Sequence, residues 1–263
     1  MTDAASRPAL IILSNALRSA RTQRGLSLRR LARMADLHPS LLSAFELGRR
    51  APEDTTVAHI LGVLQSPKIM RNHLVDLARR ARECDFIDHT GRAGDILHVT
   101  YEQQSKHVFV WSPWLIPDAL QTTEYACALR KGGPFEIDDV TVRPLARTVQ
   151  QLASSDASGL RYTFLIGEAA TRSGVCSSDE LRDQVNAVAA VTRHPRVSVR
   201  LVPAAGYAPG LLEPFTLYED NAGAVAVAVR HHLGAVFLTC EAALETYPKI
   251  AQSLKGRAAD TWP

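Results

Sequence analysis

Residues 17–52 read LRSARTQRGLSLRRLARMADLHPSLLSAFELGRRAP, and this stretch decides the fold of the N-terminal part. Leu17 and Ala20 continue an apolar series begun at Leu10 and Leu13, a spacing that returns to one side of a helix every 3.6 residues. Arg18, Arg21 and Arg24 fall mostly off that stripe, and Gly25 stops the helix. Ser27 is suited to cap a second helix, whose Leu28, Leu31, Ala32 and Ala35 share a face. The cap is not a full capping box, because the third helical position holds Arg30 where Glu or Gln would reach back. Pro39 opens a third helix at the position where a missing N–H is harmless; Leu42 and Phe45 point to one side, and Gly48 ends it. The second and third helices are joined by Ala35-Asp36-Leu37, the spacing of a helix-turn-helix. Asp36 holds the turn position where glycine is commoner, and Asp tolerates left-handed geometry better than most residues.

Outward from this stretch, residues 1–9 are expected to be disordered. Pro52 and Asp54 open a fourth helix through Ile60 and Leu64, and Ser66-Pro67 breaks the chain. A fifth helix is expected from Lys68 to about Glu83, with Met70, Leu74 and Leu77 inward. This makes an all-α five-helix bundle over residues 10–84, with its core at 10–65. After Cys84 the character changes. Val108–Trp111, Tyr162–Ile166, Val197–Val202, Phe215–Tyr218, Ala224–Val229 and Ala235–Leu238 read as short strands rich in β-branched or aromatic residues. Helical stretches lie between them near Pro117–Arg130, Asp138–Leu152, Ser178–Thr192 and Cys240–Leu254. The expectation is two domains, the second a mixed α/β (α+β) domain over residues 93–263.

The formal charge of +3 is unevenly placed. Residues 1–92 hold 15 Lys and Arg against 9 Asp and Glu, a balance of +6; the remainder holds 15 against 18, a balance of −3. A basic N-terminal part suits a polyanion, because each neutralised phosphate releases condensed counterions. The same charge also fits a solvated basic surface. Cys84, Cys127, Cys176 and Cys240 are far apart and form no CxxC pair, so neither a metal site nor a disulfide scaffold is suggested, and reduced thiols in a cytoplasmic protein are expected. No signal peptide is expected, and runs such as Ala9–Leu13 are too short to span a bilayer.

The marks Arg21, Gly25-Leu26-Ser27, Leu31-Ala32, Ser40, Ser43, Glu46, Gly48-Arg49 and Pro52 together resemble the Cro/C1-type (XRE) helix-turn-helix family. The resemblance implies that the start of the third helix reads base edges in the major groove, through Pro39, Ser40, Ser43 and Ala44 with His38 at the threshold. Serine hydroxyls bond several bases, and the Ala44 methyl can touch a thymine methyl. No Gln, Asn or Arg stands there for a bidentate bond, so shape, water, or Arg29 and Arg30 are expected to share the reading. Arg49 and Arg50 are the implied phosphate contacts, with the backbone N–H end of the second helix at Ser27 and Leu28. Leu28 is as well suited to packing as to reading, and Arg29, Arg30 and Arg33 also fit a plain solvated face. Glu46 is expected to pair with Arg21 across the bundle.

WLIPDALQTTEYACALR (114–130), RPLARTVQQL (143–152), FLIGEAATR (164–172) and VRLVPAAGYAPGLLEPFTLYE (199–219) resemble the domain of unknown function behind this helix-turn-helix in actinobacterial WhiJ-like regulators. A departure is Ala228-Val229-Arg230, where a Tyr-Val-Glu-like strand end is usual. The resemblance implies a regulator of development or secondary metabolism, often associated with a small partner protein. A pocket for an effector is expected among Trp111, Trp114, Gln121, Tyr125, Arg147, Glu168, Tyr207 and Phe215. Core packing is the default for the aromatic members, and Glu168 fits a helix N-terminal acid equally well. No cofactor is expected. An operator in double-stranded DNA and a second copy of the chain are, since two heads on a pseudo-palindrome double the contacts of small readers.

Two other functions stay open on sequence. One is an enzyme with its chemistry in the α/β domain, with Glu168, Glu241, His194, His231 and His232 as candidates. No HExxH, GxSxG or Gly-rich phosphate loop accompanies them, and adjacent histidines in a strand point to opposite faces and cannot share a metal. The other is an antitoxin-like module whose main partner is a small protein.

Overall fold

The structure is a computed structural model, and it describes residues 7–89, 92–131, 159–172, 174–206, 212–231, 234–260 and 262. Five helices come first: α1 (Pro8–Gln23), α2 (Leu28–Met34), α3 (Pro39–Glu46), α4 (Asp54–Val63) and α5 (Lys68–Arg80). Helix α1 starts two residues before the expected Leu10, so Pro8 and Ala9 leave the stretch expected to be disordered. Pro8 occupies the first helical turn, where its fixed φ fits and no N–H is needed, and Ala9 is buried. Leu10, Leu13, Leu17 and Ala20 are buried along one stripe of α1, which packs on α3 and α5. Helix α5 buries Leu74 and Leu77 but leaves Met70 half-exposed, and it ends at Arg80, short of Glu83.

The tight connections rest on left-handed residues. Gly25 (φ 63°) follows α1, Gly48 (φ 68°) follows α3, and Asp36 (φ 50°) makes the turn between α2 and α3. The Leu37 N–H donates to the Ala32 carbonyl at 2.9 Å, and His59 Nε2 from α4 donates to the Ala35 carbonyl at 3.1 Å. The end of α2 is thereby satisfied from both sides.

Beyond α5 come β1 (Asp85–Asp88), α6 (Arg92–Gln104), β2 (His107–Ser112), α7 (Thr123–Lys131), β3 (Arg161–Gly167), α8 (Ser178–Val191), β4 (Val197–Val202), β5 (Phe215–Glu219), β6 (Ala224–His231), β7 (Gly234–Leu238) and α9 (Glu241–Lys255). The strands form a seven-stranded mixed sheet in the order β1-β7-β6-β5-β2-β3-β4. Strands β2, β3 and β4 run parallel; β5 pairs antiparallel with β2 and with β6, and β1 with β7.

The chain divides into two compact units, residues 1–101 with 231–241, and residues 102–230 with 242–263. The expected division between 84 and 93 does not coincide with this one. In the first unit β1 pairs with β7 in the register Phe86↔Phe237. Both the N–H and the hydroxyl of Thr239 donate to the Cys84 carbonyl, at 2.9 and 2.6 Å. Helix α6 lies against the same residue, His98 meeting Phe237 edge-on at 5.1 Å and Tyr101 stacking at 6.1 Å. Neither β1 nor α6 was expected from the sequence.

In the second unit Phe109, Trp111 and Phe215 are buried on one face of the sheet. Helix α9 covers it: Tyr247 meets Phe215 edge-on at 4.9 Å, and Lys255 Nζ lies 5.2 Å over the Phe109 ring. On the other face Tyr162 and Phe164 stack. The single helix expected over Pro117–Arg130 is two pieces, a 3₁₀ turn at Asp118–Leu120 and then α7. The helix expected near Asp138–Leu152 lies outside the described residues.

Candidate nucleic-acid interface

Helices α2 and α3 carry the residues that sequence reading assigned to DNA. Ser27 Oγ accepts the Arg30 N–H at 3.3 Å, which satisfies one of the donors that a helix start leaves open. The remaining first-turn donors and the exposed Arg29 and Arg30 make this end positive, while Leu28 is half-buried. Helix α3 turns Leu42 and Phe45 into the core. Ser40 is exposed and Ser43 and Ala44 are half-buried on the other side. Pro39 takes the first position, and the cap is His38, whose Nδ1 accepts the Ser40 N–H at 3.3 Å and lies 2.6 Å from the Ser40 hydroxyl. Beyond the helix the N–H groups of Arg49 and Arg50 both donate to the Ala44 carbonyl, at 2.9 and 3.3 Å, and both side chains are exposed.

What holds α3 to α1 is a two-pronged ion pair. Arg21 donates from Nε and Nη2 to the two carboxylate oxygens of Glu46, at 2.7 and 2.8 Å, and from Nη1 to the Leu26 carbonyl at 2.8 Å. The side chains are 12 % and 4 % exposed, so the pair is shielded from water and salt. The hydrogen bonds to Glu46 raise the guanidinium above its ordinary value, keeping it charged. Two supports escaped sequence reading. His59 pins the turn, and Arg24 donates to the Gln65 carbonyl at 3.0 Å, where α4 ends in another left-handed residue (φ 50°). Both act on backbone carbonyls far along the chain, which leaves no local pattern.

Of the residues expected to line an effector pocket, most of the described ones hold core or loop-closing posts. Trp111, Tyr125 and Phe215 are core residues, no more than 4 % exposed. Gln121 is also buried, and its amide donates to the Ile116 carbonyl at 2.8 Å, closing its own loop. Trp114 is half-exposed and donates to the Leu212 carbonyl at 3.2 Å. Glu168 accepts the Ala204 N–H at 3.0 Å and pairs with Arg172 at 2.6 Å. Arg147 and Tyr207 lie outside the described residues. An open depression does exist in this unit, lined by Thr123, Cys127, Lys131, Val175 and Glu180, and it shares no residue with the expected list.

Among the described enzyme candidates His194 holds a local structural post, while His232 lies outside the described residues. His194 Nδ1 accepts the Arg196 N–H at 3.3 Å in the turn before β4, and Glu241 is in the first turn of α9. A polar trio that sequence reading missed spans three strands. His107 on β2 donates from Nδ1 to Glu219 on β5 at 2.7 Å, and its Nε2 lies 2.9 Å from Thr163 Oγ1 on β3. Strand register brings the three together, so spacing along the chain carries no sign of it. Among the described residues no three His, Cys, Asp or Glu side chains are grouped to hold a metal, and no helix is long and apolar enough to cross a membrane.

Family comparison matches residues 17–67 to a helix-turn-helix model and residues 97–261 to a domain of unknown function (DUF5753). No curated protein matches the chain.

Proposed function

Because the chain belongs to the family defined by the DUF5753 domain and carries an XRE-type helix-turn-helix that makes it a DNA-binding regulator, we propose that it is an operator-specific transcription factor whose second domain takes up the regulatory signal. The observation that carries this reading is the exposed face of α3 flanked by Arg29, Arg30, Arg49 and Arg50, on a bundle fixed by the Arg21–Glu46 pair. Small side chains at Ser40, Ser43 and Ala44 let α3 lie close to base edges, and arginines on either side suit the two phosphate walls of the groove.

The protein acts in the cytoplasm as a homodimer on a pseudo-palindrome, in control of development or secondary metabolism. Ile69, 86 % exposed at the start of α5, is an apolar contact available to a second copy. The signal is a small molecule or a small partner protein. Its site lies away from the buried Trp111, Tyr125 and Phe215, which are committed to the core.

The test is selection of duplexes from a random pool with the full chain, followed by mapping of the selected site in the genome. A shared two-fold site with half-sites about one helical turn apart is expected. A pool that shows no enrichment sinks the reading.

A further inference from the structure

His38 and Ser40 stand together at the start of α3, and their hydrogen bonds have a direction. The Ser40 backbone N–H can only donate, and it points at Nδ1 of His38. Nδ1 therefore presents its lone pair, and the ring proton sits on Nε2. The Ser40 hydroxyl lies 2.6 Å from that same lone pair, much closer than the backbone donor. Facing a lone pair, the hydroxyl donates, and its proton is held by the imidazole. What Ser40 Oγ presents outward is then acceptor capacity alone. Both residues are exposed on the side of α3 that faces away from the core.

A freely rotating serine hydroxyl bonds donors and acceptors alike and so discriminates weakly. One whose proton is held has a fixed polarity. In the major groove its complements are the exocyclic amines, adenine N6 and cytosine N4; purine N7, guanine O6 and thymine O4 meet it lone pair to lone pair. We infer that Ser40 is an acceptor-only reader of a base amino group, and that His38 is the positioning residue that gives it this selectivity. The inference rests on the proposed placement of α3 in the major groove. It supplies discrimination at a reading end that has no Gln, Asn or Arg.

The experiment uses the full chain and a duplex selected by it from a random pool. The base pair whose preference disappears in Ser40→Ala is located first. At that pair, purine replaces adenine or 2-pyrimidinone replaces cytosine, which removes the amine; separately, a 7-deaza purine removes the N7 acceptor. Loss of the amine is expected to weaken the parent chain about five-fold or more, the range of one good base contact, and to leave Ser40→Ala unaffected. The 7-deaza change is expected to cost the parent chain no more than it costs Ser40→Ala. In His38→Ala the released hydroxyl should lose most of its preference for the amine, with helix content followed by circular dichroism so that loss of the cap is not mistaken for loss of reading. Sensitivity to N7 instead of the amine overturns the inference, because Ser40 then donates. Insensitivity to both overturns it as well. Binding that depends on Arg49 but not on the amine removes this inference alone, whereas a pool with no enriched duplex removes the DNA reading with it.

Discussion

Arg21 spends three of its donors on two residues, and this fixes what its partner is worth. Glu46→Ala leaves a guanidinium facing the interior with only the Leu26 carbonyl for company. The expected loss is about 3–5 kcal/mol, as for other buried pairs broken on one side, read from urea or thermal unfolding. A loss below about 1 kcal/mol, the range of exposed pairs, would mean that water reaches this site. Glu219 offers a pH-dependent counterpart. Its hydrogen bond from His107 holds the carboxyl below the ordinary 4.5, so the folded form favours the carboxylate. That contribution is complete above the ordinary value and is lost as the pH falls through the lower, folded value. Thermal melts should show the parent more stable than Glu219→Gln at pH 6, by about 1–3 kcal/mol for a charge-assisted hydrogen bond, with the gap closing below pH 4.5. A gap that persists unchanged at pH 3 would contradict this.

At the scale of elements, the split between the Asp118–Leu120 turn and α7 shows tertiary contact overriding a local pattern. The sequence there reads as one helix. Gln184, fully buried on α8, accepts the Thr122 N–H at 2.7 Å and donates to the Leu120 carbonyl at 2.8 Å, satisfying backbone groups that a continuous helix would have paired internally. Gln184→Leu keeps the volume and strands both groups. It should cost about 2–4 kcal/mol from two unmet buried backbone groups, or else let the two pieces merge, which would appear as added helical signal in circular dichroism. Helices α1 to α3 were legible from their punctuation, Pro39 at a start, Ser27 at a cap, Gly25 and Gly48 at ends, although Pro8 went unread as the start of α1. Strand β1 was not. Two of its four residues, Asp85 and Asp88, disfavour strands and offset Phe86 and Ile87, and what makes them a strand is β7, about 150 positions away.

For the molecule as a whole, the charge division in the sequence identified the basic end, and the fold class followed from the change of periodicity near Cys84. The candidate pocket was not legible in the same way. Aromatic and polar residues that recur near strand ends serve packing and loop closure as readily as a ligand, and only burial separates the uses. Trp111 and Gln121 are examples. The basic end carries the prediction proper to this scale. Arg49→Ala should weaken binding to operator and unrelated duplex by similar factors and reduce the slope of log affinity against log salt by about one. A variant that loses operator binding with its salt slope intact would place Arg49 on a base.

The pairing of β1 with β7 also sets an order of events at the ribosome. At synthesis rates of about 5–20 residues per second β7 follows β1 by on the order of ten seconds, long after α1 to α5 have left the exit tunnel with everything needed for their mutual contacts. Through that interval Phe86 lacks the strand that covers it, and β1 offers an open edge to any passing chain. Asp85, exposed at the start of this four-residue strand, puts negative charge beside that edge while it waits. A translation that stops before residue 234 releases a chain with α1 to α5 made and this edge never closed.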